Sequence, residues 1–130
     1  MSTAKTKQPT VYIVDDHPAV RDSIRWLVQQ VGLAARTFAS AKEFLASPDP
    51  DMHGCLVLDI RMPGMSGLEL QSLLRAQGRV LPIIFITAFP EDSVRKRALD
   101  AGAICFLIKP FDGPTLIKYL DKALERDGGR

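Results

Sequence analysis

Cysteine is scarce in this chain: two residues of 130, Cys55 and Cys105. Two are too few for a disulfide framework. Each lies inside an apolar run, so buried, reduced thiols in a cytoplasmic protein are expected. No apolar stretch is long enough to span a bilayer. The start, Met1 to Pro9, is polar and lysine-bearing and lacks the apolar centre of a signal peptide. Neither acid nor base dominates, with 17 Lys and Arg against 15 Asp and Glu and a net charge of +2. A balance this mild gives no case for nucleic acid or a membrane as the main partner, because such partners call for clustered charge. Internal repeats and low-complexity segments are missing too, which argues against solenoids and arrays. What is present, 46% hydrophobic and 25% charged residues, is enough for one core in one domain. Residues 1–9 are expected as a disordered tail, 10–126 as the domain, and 127–130 as a flexible tail or the start of a linker.

Short apolar runs alternate with amphipathic ones. Thr10 to Asp15 is β-branched and aromatic, as a strand requires. His17 to Val31 has Val20, Ile24, Leu27, Val28 and Val31 at helical spacing, with Pro18 suited to the first turn and Gly32 to the stop. Leu33 to Phe38 is a second, less apolar strand. Ser40 is placed to cap a short helix reaching about Ala46, with Glu43 completing a capping box. Gly54 to Ile60 is a third strand. Ser66 and Glu69 form a second capping box ahead of Leu68, Leu70, Leu73 and Leu74. Pro82 to Thr87 is a fourth strand, Glu91 to Ala101 a helix ended by Gly102, Ala103 to Ile108 a fifth strand, and Asp112 to Arg126 a last helix with Pro114 in its first turn. Five strand–helix units, most of whose strands are apolar on both faces, predict an α/β domain: a parallel sheet with helices on both faces.

The polar residues at the strand ends carry the chemistry. Asp15 and Asp16 end the first strand, Asp59 falls at the end of the third, Thr87 ends the fourth, and Lys109 follows the fifth. In a parallel sheet these carboxyl ends share one edge, and ligands bind there at the point where strand order reverses. With order 2-1-3-4-5 that point lies between the first and third strands, beside all three aspartates. Three carboxylates together repel one another, and a hard cation such as Mg²⁺ (or Mn²⁺) is the simplest remedy. Lys109 and Thr87 are suited to hold phosphate oxygens, which leaves Asp59 as the nucleophile that takes a phosphoryl group. Each of these residues alone is more often a loop or cap residue. Their combination at successive strand ends is what points to phosphoryl transfer.

The motifs Val14-Asp15-Asp16-His17-Pro18, Leu58-Asp59-Ile60-Arg61-Met62-Pro63-Gly64-Met65-Ser66-Gly67, Ile86-Thr87-Ala88 and Lys109-Pro110-Phe111 together resemble the receiver domains of bacterial two-component response regulators. The resemblance covers about Thr10 to Arg126. It implies a flavodoxin-like (βα)5 doubly wound fold and a phosphoacceptor switch served by a sensor histidine kinase. By the same resemblance Asp59 is the phosphorylation site. Asp16, Asp59 and the main-chain carbonyl of Arg61 bind the metal directly, and Asp15 binds it through water. Thr87, Lys109 and the backbone N–H of Ala88 contact the phosphate. The resemblance further implies a cis Lys109–Pro110 bond, loop glycines at Gly64 and Gly67, and a switch pair of Thr87 and Phe106. The wording around Arg61 and Phe106 looks most like the FixJ-like branch, whose members usually carry a helix-turn-helix DNA-binding domain after the receiver. No such segment follows Arg126 here, so either a truncated transcription regulator or a stand-alone receiver acting by protein–protein contact or phosphorelay is expected.

Other residues are weighed against this frame. His17 is expected as a helix-start residue, since a Mg²⁺ site prefers oxygen. His53 is expected in solvent, and Trp26 in the core or partly so. Apolar Phe89, two residues after Thr87, cannot orient an attacking water, so a long-lived phosphoryl state is expected. Arg95, Lys96, Arg97, Lys118 and Lys122 are expected as solvated surface on the fourth and fifth helices. With the fifth strand these helices form the output face common in the family this chain resembles, and dimerisation through it is one expected output. A flavin carrier would need a Gly-, Ser- or Thr-rich phosphate loop where Asp16-His17-Pro18-Ala19 stands. An aspartyl phosphatase would need a second Asp where Arg61 stands.

Overall fold

A computed structural model describes residues 9–47 and 52–128, with side chains through Leu124. The expected tail residues 1–8, the terminal 129–130 and the Pro48–Asp51 stretch lie outside the described residues. Among the described residues, five strands and five helices alternate: β1 (Thr10–Val14), α1 (Pro18–Gln30), β2 (Ala34–Phe38), α2 (Ala41–Leu45), β3 (Gly54–Asp59), α3 (Gly67–Ala76), β4 (Ile83–Thr87), α4 (Asp92–Asp100), β5 (Cys105–Ile108) and α5 (Gly113–Gly128). The sheet is parallel with order β2-β1-β3-β4-β5, as expected.

The three central strands explain the order. Every residue of β3 and β4, and all of β1 but Thr10, is buried. Strands apolar on both faces must be covered on both faces. One layer holds Tyr12, Leu56, Leu58 and Phe85 against α2, α3 and α4. The other holds Val11, Ile13, Val57, Ile84 and Ile86 against α1 and α5. β2 alternates exposed and half-buried positions, which suits an edge strand. Cys55 and Cys105 are buried free thiols on β3 and β5, with β4 between them.

Local signals set the helix ends. Ser66 Oγ accepts from Glu69 N (3.2 Å) and Glu69 Oε1 accepts from Ser66 N (2.8 Å), the expected capping box. At α2 the reciprocal bond differs. Ser40 Oγ accepts from Glu43 N, but Glu43 Oε1 takes the N–H of Ala39 rather than that of Ser40. Gly32 takes φ of +83°, ending α1. β5 starts two residues later than expected and α5 runs on to Gly128.

Two expectations fail. Trp26 is 61% exposed, not core. The buried stripe of α1 is set by Ile24 and Val28, one turn apart, and Trp26 lies two residues from each and so faces away. Val31, half exposed, ends the helix instead of extending that stripe. His53 is only partly exposed, because its main chain bonds Thr10 N (2.9 Å) and the Tyr12 hydroxyl (3.4 Å).

Gly67 ties the fold to the site. Its N–H donates to Ile60 O (2.8 Å), and a Cβ there would drive into the carbonyl of Asp59. Gly67→Ala is expected to cost about 1–3 kcal/mol by overpacking. Urea denaturation checks this, and an unchanged midpoint would refute the close approach.

Candidate functional site

The carboxyl edge of the sheet gathers the polar residues named from the sequence. Asp15 follows β1, and its N–H donates to Phe38 O of β2 (3.1 Å). Asp59 ends β3, and the next residue, Ile60, donates its N–H to Ile86 O of β4 (3.1 Å). The Lys109 N–H donates to Thr87 O (2.8 Å), which locks the start of the β5–α5 loop onto β4. Backbone ladders therefore aim these side chains. The Lys109–Pro110 bond is cis, as the resemblance implied.

Asp15 and Asp59 are almost wholly buried. Lys109 Nζ reaches between them, 2.9 Å from Asp15 Oδ2 and 3.6 Å from Asp59 Oδ2. Asp15 Oδ1 is used separately: it accepts from His17 N (2.9 Å) and lies 3.2 Å from His17 Nδ1. Arg21 Nη1 donates to the Asp15 carbonyl (2.8 Å) and steadies the turn. Asp16 Oδ1 is shut off from solvent and accepts no hydrogen bond, although His17 Nδ1 lies 3.4 Å away. Ligand atoms of Asp15, Asp16, His17 and Asp59 all fall within 4.8 Å of one another.

The cost of this crowding falls on Asp59. Its carboxyl is pushed up from the ordinary 3.8 to about 6. Burial is the main cause, and the Asp15 charge adds to it. Lys109 opposes the shift, Asp16 raises it further, and a hydrogen bond from the Arg61 backbone lowers it. An orphaned, shielded carboxylate oxygen among buried carboxylates is what a hard divalent cation fits. The oxygen donors present suit Mg²⁺ or Mn²⁺.

The remaining expected residues sit around this cluster. Thr87 is buried, and its Oγ1 accepts from Phe89 N (3.1 Å), so the hydroxyl is engaged with its own turn. Ala88 is exposed and lines a mainly apolar groove of about 490 Å³ with Lys109, Pro110, Phe111 and α1 residues Val20 and Ile24. Arg61 turns its side chain outward, stacking 5.0 Å from the Phe89 ring centroid and lying 3.7 Å from Glu91 Oε2. Phe106 is half-buried, packed on the side of the sheet that carries α4.

Sequence reasoning missed three features. His17 does start α1 as its N-cap, but its side chain makes no capping bond and its Nδ1 faces the carboxylates instead. The signal was its place directly after Asp16. Neither the Arg61–Phe89–Glu91 contact nor the Arg21 bond to the Asp15 carbonyl has a sequence signal, since each depends on how loops meet.

With fold and geometry in hand, the chain compares closely with known proteins. The Response regulator receiver domain family matches residues 11–121. The chain is 43% identical over 125 residues to the transcriptional regulatory protein TdiR of Thauera aromatica, covering 95% of this chain and 55% of that protein. The solved response regulator StyR superposes with a TM-score of 0.88 at 45% identity, over 94% of this chain and 62% of that one. The FixJ-N structure superposes with a TM-score of 0.82 at 38% identity, over 92% and 96%. This chain belongs to the response regulator receiver domain family, in its FixJ-like branch. It spans about half the length of the curated relatives it matches. No described helix is long and apolar enough to cross a membrane.

The raised Asp59 pKa makes a stability prediction. Folding favours the protonated carboxyl, so the stability that Asp59 contributes is complete below about pH 4. It is lost as pH rises through about 6. In metal-stripped protein at pH 8, Asp59→Asn should be more stable than the wild type by up to about 3 kcal/mol. The two should converge at pH 4. Urea midpoints at both pH values check this, and equal stability at pH 8 would overturn it.

Proposed function

We propose that Asp59 accepts a phosphoryl group from a phosphohistidine of a sensor histidine kinase, in a reaction dependent on Mg²⁺ or Mn²⁺. One observation carries the reading: Lys109 Nζ bridges Asp15 and Asp59 at a buried carboxylate cluster that contains an orphaned Asp16 oxygen. Asp16, Asp59 and the Arg61 carbonyl would hold a divalent ion directly and Asp15 would hold it through water; such an ion would supply positive charge to offset that of the phosphoryl group. The ionised Asp59 oxygen attacks phosphorus as the bond to the imidazole nitrogen breaks, giving an aspartyl-phosphate. Lys109, already 3.6 Å from Asp59, offers its ammonium to the phosphoryl oxygens. The Ala88 N–H and the Thr87 hydroxyl supply further donors. For Thr87 this means leaving the Phe89 N–H that it now accepts from.

That exchange links the site to the far side of the sheet. Phe106 lies on β5 in register with Phe85 of β4, two residues before Thr87. The phosphorylated form favours a second arrangement of Thr87, Phe106 and the α4–β5–α5 face, by shifting a pre-existing equilibrium. The output is proposed to be dimerisation through that face. It would serve transcription through a DNA-binding domain outside this chain, or protein contact by a stand-alone receiver. The groove between α1 and the β5–α5 loop, beside Lys109, suits the approach of the kinase phosphohistidine. The domain itself binds neither DNA nor membrane and acts in the cytoplasm.

It acts as a switch rather than a turnover enzyme. An aspartyl phosphatase needs an acid two residues after its nucleophile. Arg61 occupies that place, and its guanidinium is committed to Phe89 and Glu91. Phe89 offers no polar atom to hold an attacking water, so the phosphoryl group is expected to persist.

Incubating the chain with acetyl phosphate and Mg²⁺ should add one phosphoryl mass to the wild type and none to Asp59→Asn, with a doubled mass by light scattering only in the phosphorylated sample. No mass gain in the wild type would overturn the acceptor role. A gain without a doubled mass would sink dimerisation alone. Phe89→Glu should shorten the aspartyl-phosphate lifetime by roughly tenfold, the scale of a modest general-base contribution. Dephosphorylation as slow as in the wild type would count against that account.

A further inference from the structure

The metal cluster contains one donor that the oxygen-only account does not use. His17 Nδ1 lies 3.2 Å from Asp15 Oδ1 and 3.4 Å from Asp16 Oδ1, and within 4.8 Å of an Asp59 oxygen. Neighbouring ligands on an octahedral ion with bonds of about 2.1 Å sit about 3.0 Å apart. The 3.4 Å spacing of this nitrogen to the unbonded Asp16 oxygen, a direct ligand in the proposed site, is therefore close to that of adjacent positions on one ion. The two oxygens of Asp15 are already divided. Oδ2 faces Lys109, and Oδ1 faces His17, so an ion on the His17 side does not compete with the ammonium. His17 makes no side-chain capping bond, and its Nδ1 contacts the Asp15 and Asp16 carboxylates instead, so the ring already points into the pocket. Its ring is largely exposed, so it remains free to reorient.

We propose that His17 Nδ1 is a direct ligand in this pocket and makes it selective for borderline transition ions such as Ni²⁺, Co²⁺ and Zn²⁺ over Mg²⁺. This rests on the reading that the carboxylates hold a divalent ion. Mg²⁺ takes oxygen and gains little from an imidazole, whereas Ni²⁺, Co²⁺ and Zn²⁺ gain much. The pocket is then a mixed site in which one nitrogen joins the two direct carboxylates, Asp16 and Asp59, and the Arg61 carbonyl. A transition ion held there occupies the place where Mg²⁺ would support phosphoryl transfer, so such ions compete with it.

Greater affinity for Ni²⁺ than for Mg²⁺ would follow from ligand-field preference alone, so the test turns on the dependence on His17. The chain is titrated calorimetrically with NiCl₂ and with MgCl₂ as wild type, His17→Ser and Asp59→Asn. Serine is a good N-cap and keeps the helix start intact, which circular dichroism verifies. His17→Ser should weaken Ni²⁺ on the order of tenfold or more and change Mg²⁺ by less than about twofold. Wild type loaded with Cu²⁺, a paramagnetic ion of the same imidazole-preferring class, should show ¹⁴N modulation in electron spin echo spectra, and His17→Ser should lose it. Parallel shifts for both ions, no shift for Ni²⁺, or no ¹⁴N modulation would each overturn the proposal. If Asp59→Asn weakens both ions while His17→Ser weakens neither, the metal pocket stands and the histidine ligand falls. If the wild type binds neither ion, both fall.

Discussion

Three aspartates converge on one edge of a sheet, and Asp15 and Asp59 are almost out of water. Like charges in a poorly solvated place are unfavourable unless something compensates. In this chain the compensation is partial. Lys109 bridges two of the carboxylates, Arg21 and His17 tie down Asp15, and one oxygen of Asp16 remains unanswered. The raised Asp59 pKa is the measure of that deficit. Much of the architecture serves to hold this arrangement in place. The central strands are buried on both faces, so their ends do not drift. Gly67 lets α3 start close against the Asp59 carbonyl.

The site joins elements of unequal rigidity. β3 and β4 carry Asp59 and Thr87 from the best-packed part of the molecule. Beyond Thr87 the chain turns into Phe89, exposed, and then into α4, where Ala98 is the buried residue. A helix with so little buried surface opens or shifts at low free-energy cost. Thr87 stands at the boundary, with its hydroxyl accepting from the Phe89 N–H on the less buried side. A ligand that draws this hydroxyl toward Asp59 removes that bond and leaves the α4 end less constrained. That is the physical basis on which a local charge change could reach a distant face.

Much of this was legible in the order of residues. The run Val11 to Val14, the wholly apolar third and fourth strands and the capping pair Ser66–Glu69 each carry a short-range physical signal, and each appears as expected. The strand-end positions of Asp15, Asp59, Thr87 and Lys109 were legible for the same reason, because a parallel sheet puts all such ends on one edge. Trp26 misled, since size and apolarity argue for burial while the helical phase set by Ile24 and Val28 turns it to solvent. His17 starts α1 as its place before Pro18 implied, but nothing local said where its ring would point.

Sequence alone settled the strand and helix order, the parallel sheet and the set of side chains at its carboxyl edge, because those follow from hydrophobic period and chain direction. Tertiary structure decided the rest. Lys109 lies 94 residues from Asp15 in sequence yet 2.9 Å away in space, and the Asp59 pKa depends on that proximity and on burial. Arg61 stacks on Phe89 because two loops meet, and His17 Nδ1 faces Asp15 and Asp16 because the turn after β1 folds back on itself. Distances between loops, and the solvent they exclude, arise when the core packs and leave no trace in local pattern.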